Sequence, residues 1–235
     1  MVVVEGVARK LYPETNIWEV SRPVLEEWLK DTKRPKSTIN TAINTSSEIL
    51  KRMPELPQLM DRADYALKLM AEGKTPEQAL KILTDTDPGR DLRQVGMVDA
   101  QGRVGSFTGT RCNAWAGHKV GKYYAAQGNI LTGEAVVKNM AIAFEKARNQ
   151  PNSQLADWLV AAVIAAEAAG GDKRGRQSAA LVVVRDQGGY AGLNDRFIDI
   201  RVEDHKTPIK ELARLLELHK QFYPHSHRNK PSRKK

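Results

Sequence analysis

The chain has 235 residues, of which 41% are hydrophobic and 28% are charged, a composition typical of globular proteins with one large or two small domains. Its longest apolar run, residues 159–169, is too short for a membrane helix, which needs about 18–20 residues. The single cysteine excludes an intrachain disulfide and a thiolate metal cluster, and we expect a cytoplasmic protein.

The net charge of +9 is concentrated at the C-terminus. Residues 220–235 contain six Lys or Arg residues and no Asp or Glu, which predicts a basic, disordered tail. Aromatic residues are sparse and are not interleaved with basic residues, so nucleic acid is not an expected partner. A weak contact between this tail and an anionic membrane surface stays open as an alternative.

Residues 1–64 have the pattern of a small helical segment. Ser21 followed by Pro23 is typical of a helix start, and an apolar stripe follows it. The stretch EGVARKLYPETNIWEVSRPVLEEWL, with Leu56-Pro57 after it, resembles the C-terminal tail of the UbiB-type kinase-like family, which is linked to ubiquinone biosynthesis. The chain has no glycine-rich nucleotide loop, catalytic loop or DFG motif, so the resemblance implies an accessory fragment that uses neither ATP nor another cofactor.

The first half of residues 65–219 predicts two helices and three strands. A helix over 65–71 ends before Gly73, and Thr75 caps a second helix that starts at Pro76. Apolar and polar residues alternate over 94–98 and 104–108 on either side of a turn with Gly102, which indicates a β-hairpin. We expect a third strand over 123–126, ending in a turn at residues 127–129.

The second half predicts helices over 134–146 and 155–169, strands over 178–184 and 198–202, and a last helix over 208–218. Residues 178–184 are almost entirely apolar, which is typical of a strand buried on both faces. Groups of strands separated by pairs of helices favour an α+β fold built in layers.

Three stretches in this region resemble, in order, an uncharacterised bacterial and archaeal family of N-terminal-nucleophile-hydrolase-like (Ntn-type) proteins. They are DPGRDLRQVGMVDAQGRVGSFTGTRCNAWAGHKVGKYYAAQGNILTGEAVV, AAGGDKRGRQSAALVVVR and DIRVEDHKTPIKELARLL. The resemblance implies a four-layer αββα sandwich and hydrolysis of an amide-like bond. In that family, strands that bear the nucleophile precede the matching helix, whereas this chain has the UbiB-like segment there.

We therefore expect an incomplete αββα sandwich in residues 65–219, preceded by a small helical segment, in a chain that arose by gene fusion near residues 61–68. Such a domain is inactive or depends on partners. A non-catalytic binding or oligomerisation module is the alternative function. An exposed sheet edge would favour a homo-oligomer formed by strand pairing.

Five residues are candidates for catalysis. Backbone N–H groups at a turn formed by Gln127, Gly128 and Asn129 can hold an oxyanion, although a tight turn with a capping Asn is an equal alternative. Cys112 and His118 form a nucleophile–base pair if they meet in space, but a lone cysteine is more often a small buried hydrophobic residue.

The candidate ligand-binding residues come from three loops. Two arginines in the glycine-rich loop after residue 169 can clamp a carboxylate or phosphate, and a third lies beside the cysteine. A carboxylate and an imidazole follow the last strand, where a helix start is the plainer alternative, and we predict no metal site. The full set is Arg111, Asp172, Arg174, Arg176, Gln177, Ser178, Asp204 and His205.

Overall fold

A computed structural model describes residues 56–223, which contain five α-helices and six β-strands. The chain divides into two compact units, residues 1–61 and 62–235, and all side-chain contacts given below lie within the second. The elements in chain order are α1 (Leu56–Ala71), α2 (Pro76–Asp85), β1 (Gln94–Val98), β2 (Val104–Thr108), β3 (Gly117–Gly121), β4 (Tyr124–Gly128), α3 (Glu134–Arg148), α4 (Leu155–Ala168), β5 (Ala179–Val184), β6 (Arg196–Val202) and α5 (Pro208–Phe222). The predicted helical segment over residues 1–55 lies outside the described residues.

The predicted hairpin is confirmed, and both of its strands have the predicted bounds. β1 and β2 pair antiparallel, with Val98 opposite Val104. The Asp99 carboxylate closes the turn by accepting hydrogen bonds from the backbone N–H groups of Gln101 and Arg103. Gly102 has a φ of 76°, a left-handed conformation that glycine adopts without steric cost.

The predicted strand over 123–126 is present as β4, with bounds shifted to Tyr124–Gly128, but it belongs to a second hairpin whose first strand, β3, was not predicted. β3 pairs antiparallel with β4, so that His118 lies opposite Gln127. The connection between them is a tight turn in which Tyr123 adopts a φ of 73°. Gln127 and Gly128 therefore lie inside a paired strand, and the predicted turn at 127–129 is corrected to a strand end that only Asn129 follows.

The prediction that residues 178–184 are buried on both faces was also wrong. Along β5, Leu181 and Val183 are buried, whereas Val182 and Val184 are 48% and 65% exposed. β5 forms a two-stranded sheet with β6, and α4 and α5 cover the face that carries the buried residues. In the described part of the chain, nothing covers the other face.

The elements stack in a regular order around two apolar clusters. α2 packs on β1–β2, the two hairpins β1–β2 and β3–β4 face each other, and α3 packs on β3–β4. α3 packs along α4, where the rings of Phe144 and Trp158 meet edge to face, and β5–β6 packs on α4 and α5. The resulting fold is mixed α and β with small antiparallel sheets.

The last helix is longer than predicted and extends to Phe222. The first residues of the predicted disordered tail are therefore helical, and the Lys220 ammonium group donates to the carboxylates of Asp157 and Glu217. Residues 224–235 lie outside the described residues. None of the five described helices has the length and hydropathy that a bilayer crossing requires.

Candidate functional site

The surface between the two facing hairpins is polar, and the side chain of Gln94 is central to it. Its Nε2 lies 3.1 Å from the Thr108 hydroxyl oxygen, 3.1 Å from the Gly117 carbonyl oxygen and 2.9 Å from the Gly128 carbonyl oxygen. Next to it, the Ser106 hydroxyl lies 3.4 Å from Oε1 of Gln127. Side chains of β1 and β2 therefore meet both strands of the second hairpin through hydrogen bonds.

Thr108 and His118 form a hydroxyl–imidazole pair at this surface. The Thr108 hydroxyl oxygen lies 2.8 Å from Nδ1 of His118. Because the Gln94 amide donates to the same oxygen, the hydroxyl proton is directed to the imidazole when Nδ1 is the unprotonated ring nitrogen. A hydroxyl held in this way has the geometry of a nucleophile beside its general base.

His118 also lines an open cleft beside β3. The cleft has a volume of about 280 Å³ and is bordered by the N-terminal end of α3. Its charged lining side chains are two lysines and one glutamate, and its apolar ones are one tryptophan and one valine. The lining residues are Trp115, Gly117, His118, Lys119, Glu134, Val137 and Lys138.

The structure gives Cys112 and His118, the predicted pair, hydrogen bonds to other residues and none to each other. The Cys112 thiol is half-buried and donates to the carbonyl oxygen of Arg93 at 3.4 Å, whereas His118 contacts Thr108. Arg111 is exposed, and its guanidinium lies 3.9 Å from the carboxylate of Asp91.

Asn129, the third member of the predicted oxyanion turn, has an unusual environment. Its side-chain Oδ1 is buried without a hydrogen-bond partner. The residues just after it are held in place by neighbouring loops: the Ile130 N–H donates to Asn113 O at 3.2 Å, and the Lys173 N–H donates to Ile130 O at 2.9 Å. A buried amide oxygen in this state is a free acceptor at the end of β4.

The two arginines predicted to bind an anion already hold carboxylates of this chain. Arg174 makes a bidentate pair with Asp172, at 3.0 and 2.7 Å, and Arg176 lies 2.9 Å from Glu167. The hydrogen bond from Arg174 holds the pKa of the Asp172 carboxyl below its ordinary value, although burial opposes this shift. The loop therefore carries internal ion pairs rather than free cations at these two positions.

His205 lies beside this loop and takes part in the start of α5. Its backbone N–H donates to the Gln177 carbonyl at 2.9 Å, and its Nδ1 accepts a hydrogen bond from the Thr207 N–H at 3.0 Å. Ser178 and Asp204 are exposed next to these groups. This arrangement matches the helix-start alternative, and no three His, Cys, Asp or Glu side chains in residues 56–223 are grouped as metal ligands would be.

Sequence reasoning missed Gln94, Ser106 and Thr108. The signal was present, because Ser106 and Thr108 are two positions apart on one strand and Gln94 is the register partner of Thr108. Polar side chains at these positions lie on one face of the hairpin. In the structure, that face contacts a second hairpin.

A short part of the chain is similar to UbiB proteins. It is 38% identical over 60 residues to "Probable protein kinase UbiB" of Vibrio vulnificus, a match that covers 26% of this chain and 11% of that protein. The corresponding protein of Marinobacter nauticus is 35% identical over 75 residues, which cover 32% of this chain and 13% of that protein. The chain thus spans only about a tenth of the length of these curated relatives.

A larger part is similar to protein SPO2555 of Silicibacter pomeroyi, whose crystal structure is described as a member of DUF1028. The TM-score is 0.57 and the sequence identity is 29%, over 68% of this chain and 64% of that one. Residues 58–212 match the profile of DUF1028, a family of unknown function. The two resemblances seen in the sequence, to UbiB proteins and to an uncharacterised family, are thereby confirmed, and the chain belongs to the DUF1028 family.

Proposed function

We propose that the DUF1028 region of this chain is a hydrolase-type domain that is related to Ntn hydrolases but lacks their nucleophile-bearing strands, and that it cleaves an amide-like bond with a nucleophile from inside the chain rather than being inactive as the sequence alone suggests. Thr108 is the nucleophile and His118 is the general base. The observation that carries the proposal is the 2.8 Å contact between the Thr108 hydroxyl and the imidazole of His118, a residue that also lines an open cleft.

The stacking order of the elements supports the relationship to Ntn hydrolases. α2, the sheet β1–β2, the sheet β3–β4 and α3 follow one another as helix, sheet, sheet and helix. This is the order of layers expected for an αββα sandwich. The Thr108–His118 pair joins the two sheets of this stack.

In the proposed reaction, the Thr108 oxygen attacks the carbonyl carbon of the substrate while its proton passes to Nδ1 of His118. The protonated imidazole then gives the proton to the departing amine as the carbon–nitrogen bond breaks, which leaves an ester on Thr108. Water, activated by His118, hydrolyses this ester and restores the hydroxyl. Gln94 is a positioning residue, since it donates to the Thr108 oxygen and fixes the direction of the hydroxyl proton.

The test uses the full chain with p-nitroanilides and p-nitrophenyl esters, together with a β-lactone probe that acylates active hydroxyls. We expect turnover, and a β-lactone adduct on Thr108 in peptide mass spectra. Thr108→Val keeps the shape of the side chain and removes the hydroxyl, so this variant should form no adduct and its turnover should fall by about 100-fold or more. We expect the same losses for His118→Ala. Thr110→Val, at an exposed threonine outside the pair, is the matched control and should retain both.

Two results would contradict the proposal. One is turnover that Thr108→Val leaves unchanged, since the reacting group would then lie elsewhere. The other is an adduct on Cys112 instead of Thr108, which would identify the cysteine as the nucleophile.

A further inference from the structure

The large apolar side chains that are most exposed in residues 56–223 come from one end of the β5–β6 sheet and from the last residue of α5. A single exposed apolar residue is ordinary on a globular protein, whereas a group of them marks a surface that another body covers. The group, here called the apolar end, consists of Val184 (65% exposed), Phe222 (72%), Tyr190 (79%) and Leu193 (81%).

Side-chain contacts bring the segments that carry the apolar end together. Arg185 directly follows β5, and its Cζ lies 3.8 Å from the centre of the Phe197 ring. The Phe197 ring lies 6.2 Å from the ring of His219, which lies 5.0 Å from the ring of Tyr223. Tyr223 directly follows Phe222, the last residue of α5. The loop between β5 and β6 and the C-terminal end of α5 are therefore neighbours.

The loop between β5 and β6 is held by its own hydrogen bonds. The Arg185 N–H donates to the Asp195 carbonyl at 2.9 Å, and the Gly189 N–H donates to the Asn194 carbonyl at 2.8 Å. Residues 190–193, which carry two of the four exposed side chains, form the tip beyond these bonds. The backbone of the loop is thus ordered in a way that presents apolar side chains to the outside.

The chain continues from the apolar end into a strongly basic segment. Residues 224–235 follow the end of α5 and contain five Lys or Arg residues and no Asp or Glu. Residues 185–196 contain two Arg and two Asp residues, so their charges cancel. The excess positive charge is therefore supplied by the segment that starts here. A body that covers the apolar end must accept apolar side chains and must also be compatible with this positive charge.

We propose that the apolar end binds the surface of an anionic lipid bilayer. Leu193 and Tyr190 enter the headgroup region, where a tyrosine can bury its ring and keep its hydroxyl in water. The Lys and Arg residues of 224–235 are attracted to the acidic headgroups. Insertion of a few apolar side chains is weak by itself, as is attraction of a basic segment, and the two together give a stable but reversible attachment. This binding does not depend on the hydrolase chemistry proposed above.

A bilayer fits the apolar end better than a second copy of the chain does. A twofold dimer places the same surface of both copies face to face, which would bring together two segments with five positive charges each. The shape of the surface also favours a bilayer. Tyr190 and Leu193 are about four-fifths exposed and therefore protrude, and lipid headgroups accommodate protruding side chains without a preformed pocket.

The test measures co-sedimentation of the full chain with lipid vesicles. We expect binding to phosphatidylcholine vesicles that contain about one-third phosphatidylglycerol, little binding to pure phosphatidylcholine, and weaker binding at high salt. Tyr190→Ser combined with Leu193→Ser should weaken binding to the anionic vesicles by about tenfold or more. Leu67→Ser is the matched control, because Leu67 is 61% exposed but lies on α1, and it should bind as the wild type does. Arg233→Gln, Lys234→Gln and Lys235→Gln together should also weaken binding.

Hydrogen exchange of the wild-type chain gives a readout that does not depend on the folding of any variant. With anionic vesicles, we expect slower exchange of amides in residues 185–195 and unchanged exchange in β1–β2.

Three results would overturn the proposal. The first is absence of binding of the wild-type chain to anionic vesicles. The second is full binding by the Tyr190→Ser/Leu193→Ser variant, since the basic segment alone would then account for the attraction. The third is a concentration-dependent dimer in sedimentation that this variant dissociates, which would favour the self-association expected from the sequence.

Discussion

The Asp87 carboxylate lies 2.9 Å from Nη1 of Arg62, an ion pair between the loop after α2 and the helix α1. The same oxygen lies 3.2 Å from Nε of Arg93, and the Gly89 N–H donates to the other carboxylate oxygen at 2.8 Å. Asp87 is only 7% exposed. One buried carboxylate therefore links the middle of α1, the loop after α2 and the residue before β1.

This arrangement predicts a stability that depends on pH. Burial raises the pKa of the Asp87 carboxyl, but hydrogen bonds from Gly89 and Arg93 and the charges of Arg62 and Arg93 outweigh it, so the pKa lies below its ordinary value. The carboxylate therefore stabilises the fold above the unfolded-state pKa, about 3.9, and this contribution is lost as the pH falls through the lower folded-state pKa.

We expect Asp87→Asn to lower the free energy of unfolding by about 3 kcal/mol at pH 7, because it leaves two buried or half-buried cations without their anion. The difference in the free energy of unfolding between this variant and the wild type should be smaller at pH 3 than at pH 7. Urea unfolding at the two pH values measures it. Asp85→Asn removes an exposed pair with Lys81 and should cost about 0.5 kcal/mol or less. Equal effects of the two substitutions would show that burial of Asp87 is energetically unimportant.

The second prediction concerns Gln94, which joins the two hairpins. Gln94→Ala removes the side-chain donor to the carbonyl oxygens of Gly117 and Gly128. We expect a loss of about 1–3 kcal/mol in the free energy of unfolding, measured by urea denaturation. Ser106→Ala, which removes one hydroxyl shared between Val95 O at 3.2 Å and Gln127 Oε1 at 3.4 Å, should cost less. A Gln94→Ala protein as stable as the wild type would contradict the inference that Gln94 holds the hairpins together.

The third prediction compares two glycines. At Gly109, which is buried, a Cβ would lie 2.3 Å from the backbone oxygen of Asp91 and 2.4 Å from that of Arg90. Gly109→Ala should therefore destabilise the fold by about 1–3 kcal/mol, because backbone atoms must move. Gly133, the residue before α3, has an extended backbone and no atom within 4 Å of the same position. Gly133→Ala should leave the melting temperature nearly unchanged, and a larger drop there than at Gly109 would contradict this account.

The fourth prediction concerns the start of α2. The Thr75 hydroxyl accepts a hydrogen bond from the Gln78 N–H, and the Gln78 side chain accepts one from the Thr75 N–H. Thr75→Ala should lower the free energy of unfolding by about 1 kcal/mol. Thr86→Ala, at the other end of the helix, should have a smaller effect, since its hydroxyl only adds a bond to a helix carbonyl. Thermal unfolding of both variants measures the difference.

The secondary structure predicted from the sequence was accurate where it depends on residues that are neighbours along the chain. The β1–β2 hairpin follows from alternation and a glycine turn, and the start of α2 follows from Thr75 and Pro76. β3 was missed because His118 and Lys119 interrupt any apolar alternation and because its turn relies on Tyr123, a residue that rarely adopts a positive φ.

The candidate site was only half predictable for a physical reason. His118 was identified, but its partner is set by how two hairpins face each other, which no local pattern encodes. Cys112 was predicted as the partner of His118 because cysteine and histidine form a familiar nucleophile–base pair. In the structure, however, the Cys112 thiol contacts a backbone carbonyl. Similarly, the apolar run of β5 predicts burial on both faces, whereas burial depends on how many other elements cover the strand.

Each of the three sheets in residues 56–223 pairs strands that are adjacent in the sequence. The contacts that define each sheet are therefore local, and closing such short loops costs little chain entropy. Each hairpin can form within microseconds, before any long-range contact exists. We therefore expect the docking of the hairpins onto one another, which makes longer-range contacts such as Gln94 with Gly128, to limit the folding rate of this region.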